Sequence, residues 1–243
     1  MSALICDGNE LNSYLSVATE GDGVHGVVLC HGFPRRASGV GLKYSELADR
    51  ISSQMDMSVL TFNFRGTGRS EGDFSVSGWK RDLSAAVSYM RQTCDVDNVW
   101  VAGFGTGGSI AIATAAEDAT INGVAAFAAR AHFRDWSTNS ASLLEHARSV
   151  GLFQSPEFPA DVEAWANEFR DIEPLEAIKK IPPRPVMIVH GREDERVPVD
   201  DARALKAAGG DSVELRIIHH ATHRLQGDPR TIALLLGWLE LRE

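Results

Sequence analysis

The sequence predicts an α/β fold with a mostly parallel central sheet and helices on both faces. Apolar runs alternate along the chain with stretches of helical periodicity, which is typical of strands joined by helical crossovers. The run at 25–32 is apolar and bounded by glycines, as in a strand that is covered on both faces. The chain has 243 residues and no linker or internal repeat, so we expect one domain over 1–243.

The expected strands and helices follow one another in a regular order. Two short strands are expected within 3–20, around the turn at Asp7-Gly8-Asn9. Longer strands are expected at 25–32, 59–64, 99–102, 121–128, 186–190 and 213–218. Helices are expected at 41–54, 109–116 and 199–208. Another helix is expected to begin at Ser77 as its N-cap, and the last one at Asp228-Pro229. The apolar stripes of three of these helices are Tyr44, Leu47, Ala48 and Ile51; Leu83, Ala86, Val87 and Met90; and Ile232, Leu235, Leu236 and Leu239.

The alternation stops between residues 131 and 180. This segment is richer in aromatic and charged residues, and a helical stripe that includes Val162, Trp165 and Phe169 runs through it without a strong strand pattern. We expect a helical cap inserted over one end of the sheet. Such a cap must bury its apolar residues, among them Trp136, against the cleft or the main domain.

Composition narrows the class of partner. Lys and Arg total 24 against 33 Asp and Glu, a net charge of −9, which argues against nucleic acid or an anionic membrane as the main partner. The three cysteines are far apart and fit no disulfide framework or metal motif. Because no signal peptide or membrane-spanning run is recognisable, we expect a cytoplasmic protein.

A glycine-rich turn at 103–108 has the setting of a catalytic elbow. It follows an apolar strand and precedes a helix, the position of the G-x-S-x-G pattern in which serine is the nucleophile. Here the pattern reads Gly103-Phe104-Gly105-Thr106-Gly107, so glycine occupies the nucleophile position. A dinucleotide-binding turn has the same glycine spacing, but it would leave the motifs below unexplained.

Three further motifs follow predicted strands. They are His31-Gly32-Phe33-Pro34, the run from His190-Gly191 through Asp194 to Val197-Pro198, and Ala221-Thr222-His223. With the elbow, all of them fall at the carboxyl ends of strands, where open α/β sheets place their sites. The order of elbow, Asp and His is the order of catalytic groups in α/β-hydrolases.

These motifs resemble the α/β-hydrolase family over nearly the whole chain, and most of all its small serine esterase, acylglycerol lipase and aminopeptidase-like members. The run Asn63-Phe64-Arg65-Gly66-Thr67-Gly68-Arg69-Ser70 is similar to a strand-end motif of that family, which usually has an acid where Asn63 stands. The resemblance implies Asp194 as the catalytic acid and His223 as the base. It also implies an oxyanion hole made by the backbone N–H groups of Phe33 and Thr106.

Gly105 decides how the chemistry is interpreted. Without a hydroxyl at the elbow no acyl-enzyme can form. Thr106 would shift the motif by one residue, and Ser109 lies a turn into the helix, so neither is expected to replace the serine. The primary hypothesis is an esterase-like pseudoenzyme, inactive or very weak, that binds a small acyl-type ligand under the cap.

Two alternatives stay open. One is an enzyme that uses the Asp194–His223 dyad without a covalent intermediate, by activating water or abstracting a proton. The other is an interaction protein whose pocket is filled by side chains. We expect no cofactor and no metal, because His219, His220 and His223 lack a second ligand cluster.

Two arginines fall next to the expected oxyanion loop. Arg35 and Arg36 are interpreted as solvated surface side chains, with an anionic ligand as the alternative.

Overall fold

The computed structural model describes residues 3–18, 25–37 and 44–242. Nine strands lie in this part of the chain: β1 Leu4–Cys6, β2 Asn9–Leu11, β3 Ser13–Ser16, β4 His25–Cys30, β5 Ser58–Phe62, β6 Asn98–Phe104, β7 Ile121–Phe127, β8 Val186–Gly191 and β9 Val213–Ile218. The α-helices described are α1 Ser45–Met55, α2 Val76–Cys94, α3 Thr106–Glu117, α4 Arg134–Thr138, α5 Ser140–Ser149, α6 Val162–Asp171, α7 Pro174–Ala177, α8 Val199–Gly209 and α9 Pro229–Glu240.

Seven strands form one sheet in the order β3-β5-β4-β6-β7-β8-β9. Every neighbouring pair is parallel except β3 with β5. Apolar side chains of α1 and α9 pack on one face of the sheet, and those of α2, α3 and α8 pack on the other. The predicted fold class is therefore confirmed: a mostly parallel sheet is covered on both faces.

The N-terminal residues differ from the prediction. The described part of 3–20 contains three short strands rather than two, and 19–20 lie outside the described residues. β1 and β2 form a separate hairpin, whereas β3 joins the edge of the main sheet. The chain turns between them at Asn12, whose N–H donates to Ser70 Oγ at 2.9 Å and so leaves the hairpin pairing.

Two helix starts test the capping predictions. Asp228 caps α9 as expected, because its carboxylate accepts a hydrogen bond from the N–H of Arg230. The prediction of Ser77 as N-cap of α2 is wrong: Ser75 has the extended backbone of a cap and accepts from the N–H of Gly78. Two serines two residues apart offer the same cap chemistry, and the N–H of Ser77 instead donates to Glu168 Oε2 at 3.2 Å. For α1, 41–43 of the predicted range lie outside the described residues.

The predicted buried stripes differ in outcome. All four apolar residues expected on α2 are buried. On α9, by contrast, Trp238 is buried in addition to Leu235 and Leu239, while Ile232 and Leu236 are only partly covered. The last helix therefore presents a face that is rotated slightly from the one predicted.

The 131–180 segment lies between β7 and β8 and holds α4, α5, α6 and α7. It packs on the main domain through aromatic side chains. Trp165 is buried and its Nε1–H donates to the carbonyl of Phe74 at 3.1 Å. The Trp136 ring lies 5.2 Å from the ring of Phe33, edge to face. In the described part of the chain, no helix is long and apolar enough to cross a membrane.

The turn between β6 and α3 touches the end of β4 without room for a side chain. A Cβ at Gly107 would lie 2.3 Å from the carbonyl oxygen of His31, a backbone atom that cannot rotate away. This close approach fixes α3 relative to the loop that follows β4, and with it the elbow.

We expect Gly107→Ala to lower the free energy of unfolding by about 1–3 kcal/mol, because the two backbones must separate. Gly237→Ala is the matched control: this exposed position in α9 has nothing within 4 Å of a new Cβ. There the change should raise stability by about 0.5–1 kcal/mol, since alanine is the better helix former. Urea unfolding of both variants measures the two values, and shifts of the same sign would contradict the packing argument.

Candidate active site

Gly105 forms the sharp turn between β6 and α3. Its backbone has φ +55° and ψ −125°, a region that costs an L-residue strain and glycine little. Its N–H donates to the carbonyl of Phe127 at 2.7 Å, which ties the turn to the end of β7. A Cβ built on Gly105 would lie 3.5 Å from His223 Nε2 and 3.7 Å from Gly32 Cα, both ordinary contact distances.

His223 and Asp194 come together from neighbouring strand ends. Asp194 follows β8 and His223 follows β9, and His223 Nδ1 lies 2.9 Å from Asp194 Oδ2. An ionised carboxylate only accepts, so Nδ1 carries a proton, and in the neutral imidazole Nε2 is then the nitrogen with the lone pair. Since Nε2 is the ring nitrogen nearest Gly105, the imidazole presents a base to the elbow position.

The loop after β4 approaches the elbow from the other side. His31 is buried, and its Nε2 accepts a hydrogen bond from the N–H of Phe64 at 3.1 Å, which anchors the start of the loop. Among the described residues, no protein group accepts a hydrogen bond from the N–H of Phe33 or of Thr106. Within the described residues both N–H groups therefore remain available as donors, that of Thr106 directly after Gly105 in the chain and that of Phe33 directly after Gly32.

A cavity of about 640 Å³ opens between these loops, and His31, Phe33, Gly105 and His223 are among its lining residues. Stacked rings continue the lining: Tyr44 lies 5.0 Å from Phe104. The lining residues found in the described chain include none from 131–180. The cavity thus lies beside the loops of the main domain, whereas the sequence predicts a ligand beneath the cap.

Comparison with known proteins decides the family. The model of the alpha/beta hydrolase family matches residues 27–233. The chain belongs to the alpha/beta hydrolase family. It is 27% identical over 217 residues to an uncharacterized protein of Mycobacterium tuberculosis, covering 89% of this chain and 69% of that protein.

Solved structures agree with this fold. The ferulic acid-bound Est1E of Butyrivibrio proteoclasticus is similar with a TM-score of 0.71 at 23% identity, over 99% of this chain and 96% of that one. The Pyrococcus furiosus esterase Pf2001 is similar with a TM-score of 0.66 at 21% identity, over 97% of this chain and 86% of that one. At these identities the likeness shows the α/β-hydrolase fold, as the sequence motifs predicted.

In this alpha/beta hydrolase family member, a second histidine supports Asp194. His190 is fully buried at the end of β8, and its Nε2 lies 3.0 Å from the carbonyl of Val197 and 3.3 Å from Asp194 Oδ2. The Val197 carbonyl and the Asp194 carboxylate are both acceptors, so His190 Nε2 carries a proton. That N–H is shared between the two acceptors. This contact was not predicted from the sequence. Its signal was a histidine four residues before the predicted acid, at the end of a buried strand.

The other polar residues named from the sequence have structural partners. Ser109 is buried and exchanges hydrogen bonds with the backbone N–H and C=O of Arg130, so its hydroxyl is directed away from the elbow. His219 contacts Arg192 at 3.3 Å, while His220 contacts Glu193 at 3.0 Å. In the described residues no three His, Cys, Asp or Glu side chains are grouped so that they could hold a metal.

The motif at 63–70 holds the loop after β5 in place. Arg65 pairs with the fully buried Asp82 at 2.6 Å and with Asp7 at 2.9 Å. Asn63, which stands where the family usually has an acid, donates from Nδ2 to Asn12 Oδ1 at 3.3 Å. This run therefore links α2 and the N-terminal hairpin to the sheet; it supplies no residue to the cavity lining.

Competing effects act on the pKa of Asp194. Burial raises it, but hydrogen bonds from the rings of His190 and His223 and from the N–H groups of Val197 and Arg196 outweigh burial. The net result is a pKa well below the ordinary value of 3.8. The carboxylate therefore stays ionised in the fold.

This depressed pKa sets the sign of a pH effect. The stability contributed by the Asp194 carboxylate is fully present above its unfolded-state pKa and is lost as the pH falls through the lower folded pKa. We expect Asp194→Asn to lower the free energy of unfolding by about 1–3 kcal/mol at pH 7. The difference from the unmodified protein should narrow below about pH 4.

Urea unfolding between pH 3 and pH 7 measures this difference. Asp211→Asn serves as the control, because Asp211 is exposed and accepts no hydrogen bond from a described side chain. The quantity compared is the difference in free energy of unfolding between Asp194→Asn and the unmodified protein. If this difference stays constant or widens on acidification, the carboxylate is not held ionised by its neighbours.

Proposed function

We propose that this protein binds a small acyl-type ligand in the cavity beside Gly105 and, as sequenced, forms no acyl-enzyme. The observation that carries the proposal is the contact between the Gly105 position and His223 Nε2, 3.5 Å from a Cβ built there. In this proposal His223 is the base, Asp194 is its acid partner, and the backbone N–H groups of Phe33 and Thr106 are the donors for a carbonyl oxygen, while the elbow position itself has no side chain. Such a site can hold a carbonyl group but has no nucleophile to attack it.

The ligand class is an analogy with the structural neighbours. Est1E is described with ferulic acid bound, and Pf2001 is described as an esterase. A cavity of about 640 Å³ falls within the usual size range of small-molecule sites, roughly 300–1,000 Å³. An open cavity of this size beside His223 argues against the alternative of an interaction protein whose pocket is filled.

A second function is favoured by the intact dyad. With Nδ1 bonded to Asp194 at 2.9 Å, His223 Nε2 can take a proton from a water molecule in the space left by Gly105. The hydroxide would add to the ester carbonyl, the N–H groups of Phe33 and Thr106 would hold the oxyanion, and His223 would return the proton to the leaving alkoxide. Ester and water then give acid and alcohol without a covalent intermediate.

We expect Gly105→Ser to gain ester hydrolysis by about 100- to 1,000-fold over the unmodified protein, since the serine completes the acid–base–nucleophile set. From a Cβ 3.5 Å from Nε2, a serine Oγ can reach hydrogen-bond distance, about 2.6–3.2 Å, by rotation about χ1. Gly105→Ala is the matched control, because it brings the same backbone strain without a hydroxyl. Both variants should lose about 1–3 kcal/mol of stability.

The measurement is hydrolysis of a panel of 4-nitrophenyl esters, with melting curves alongside. The double change Gly105→Ser with His223→Ala should abolish the gain. A folded serine variant that is inactive on every ester would refute the esterase-like interpretation. If the unmodified protein itself hydrolyses esters and loses this activity in His223→Ala, the dyad enzyme is the correct function.

A further inference from the structure

Four arginines stand in the lining of the cavity, although the chain as a whole carries a net charge of −9. They are Arg35, Arg36, Arg196 and Arg224. No Asp or Glu is among the lining residues found in the described chain. The charged side chains found in the described lining are therefore all cationic, although the protein as a whole is acidic.

The four side chains come from loops on both sides of the cavity. Arg35 and Arg36 follow Phe33 in the loop after β4, while Arg196 and Arg224 closely follow the two dyad residues. All four are exposed. Three separate loops therefore contribute arginine side chains to the lining of the cavity that also holds His223.

Three of these four arginines have no carboxylate partner in the described chain. Arg196 lies 3.8 Å from the Glu195 carboxylate, and among the described residues no carboxylate pairs with Arg35, Arg36 or Arg224. Elsewhere in the described chain, arginines paired with carboxylates are Arg65, Arg81, Arg130, Arg134, Arg203, Arg216, Arg230 and Arg242. The arginines of the cavity thus retain donors for an incoming anion.

An aromatic stack complements this charge. Phe104 lies between Tyr44 at 5.0 Å and Phe127 at 4.7 Å, ring centroid to ring centroid, and all three line the cavity. The cavity therefore offers an apolar wall near the elbow and cationic groups among its exposed lining residues.

We infer that the ligand is an acyl compound that carries an anionic group, a carboxylate or a phosphate, at the end remote from its carbonyl. This inference rests on the proposed function, because it assumes that the carbonyl lies beside Gly105. The apolar middle of the ligand contacts the aromatic stack and the anionic end is held by the arginines. Each arginine is exposed to solvent, so the selectivity weakens as salt screens the charges.

The test uses matched esters on the full chain. We expect the unmodified protein to bind monomethyl glutarate at least 10-fold more tightly than methyl valerate, which has the same acyl chain length and no charge. Methyl 4-phosphonobutyrate is the third ligand; its phosphonate stands in for a phosphate, so its binding separates phosphate-type from carboxylate recognition. Raising the salt from 50 to 500 mM should reduce the preference for either anion over methyl valerate.

Charge-removing variants locate the effect. We expect the double variant Arg35→Gln with Arg36→Gln to reduce the preference for the anionic ester about 10-fold. The single variant Arg224→Gln should have a similar effect. Lysine in place of glutamine at the same positions keeps the positive charge and should retain part of the preference. Arg203→Gln in α8 is the control, because Arg203 pairs with Asp200 and is absent from the cavity lining. The Arg203→Gln variant should prefer the anionic ester over the neutral ester to the same degree as the unmodified protein.

The outcomes separate this inference from the proposed function. Equal binding of charged and neutral esters, unchanged in the arginine variants, would overturn the inference and leave the proposed function standing. A Gly105→Ser variant that hydrolyses only neutral 4-nitrophenyl esters, 4-nitrophenyl valerate over mono-4-nitrophenyl glutarate, would do the same. Absence of binding by all three probes, with a folded Gly105→Ser variant inactive on every ester, would overturn both.

Discussion

Close contacts between backbones at the carboxyl end of the sheet determine the geometry of the whole site. A Cβ at Gly107 would lie 2.3 Å from the carbonyl of His31, and one at Gly191 would lie 2.4 Å from the carbonyl of Ala221. The first contact joins the elbow to the loop of Phe33, and the second joins the loop of Asp194 to that of His223. Because backbone atoms cannot rotate aside, the position of each functional group is fixed by the neighbouring strand end that its loop contacts.

Hydrogen bonds then fix the side chains on this framework. Asp194 accepts from two backbone N–H groups, those of Arg196 at 2.8 Å and Val197 at 2.9 Å, and from His223. This many donors to one buried carboxylate favours its ionised form. The carboxylate in turn selects the His223 tautomer whose Nε2 is available at the elbow. Local loop geometry thus controls the protonation pattern of the site.

Sequence patterns could predict the features of the site that depend on strand order. They could predict few of the contacts that depend on the direction of a side chain. The ends of β8 and β9 were predicted, and therefore the neighbourhood of Asp194 and His223 was too. The hydrogen bond of His190 was not predicted, because a histidine four residues before the acid at a strand end does not by itself show where its side chain points. Arg196 and Arg224 were missed for a similar reason: periodicity does not show which loop residues turn towards a common cavity.

Some residues at the site are needed for the stability of the fold and others are not. This difference decides which of them give information about function at a site without a nucleophile. Removing the Asp194 carboxylate would take the acceptor away from the partly buried N–H of Val197 and from the exposed N–H of Arg196, so this residue stabilises its loop even without catalysis. Its presence is therefore weak evidence for turnover. Arg35 and Arg224 are exposed and pair with no carboxylate of the described chain, so the fold does not require their charge. The residues most informative about function are thus those at the cavity that the fold does not need.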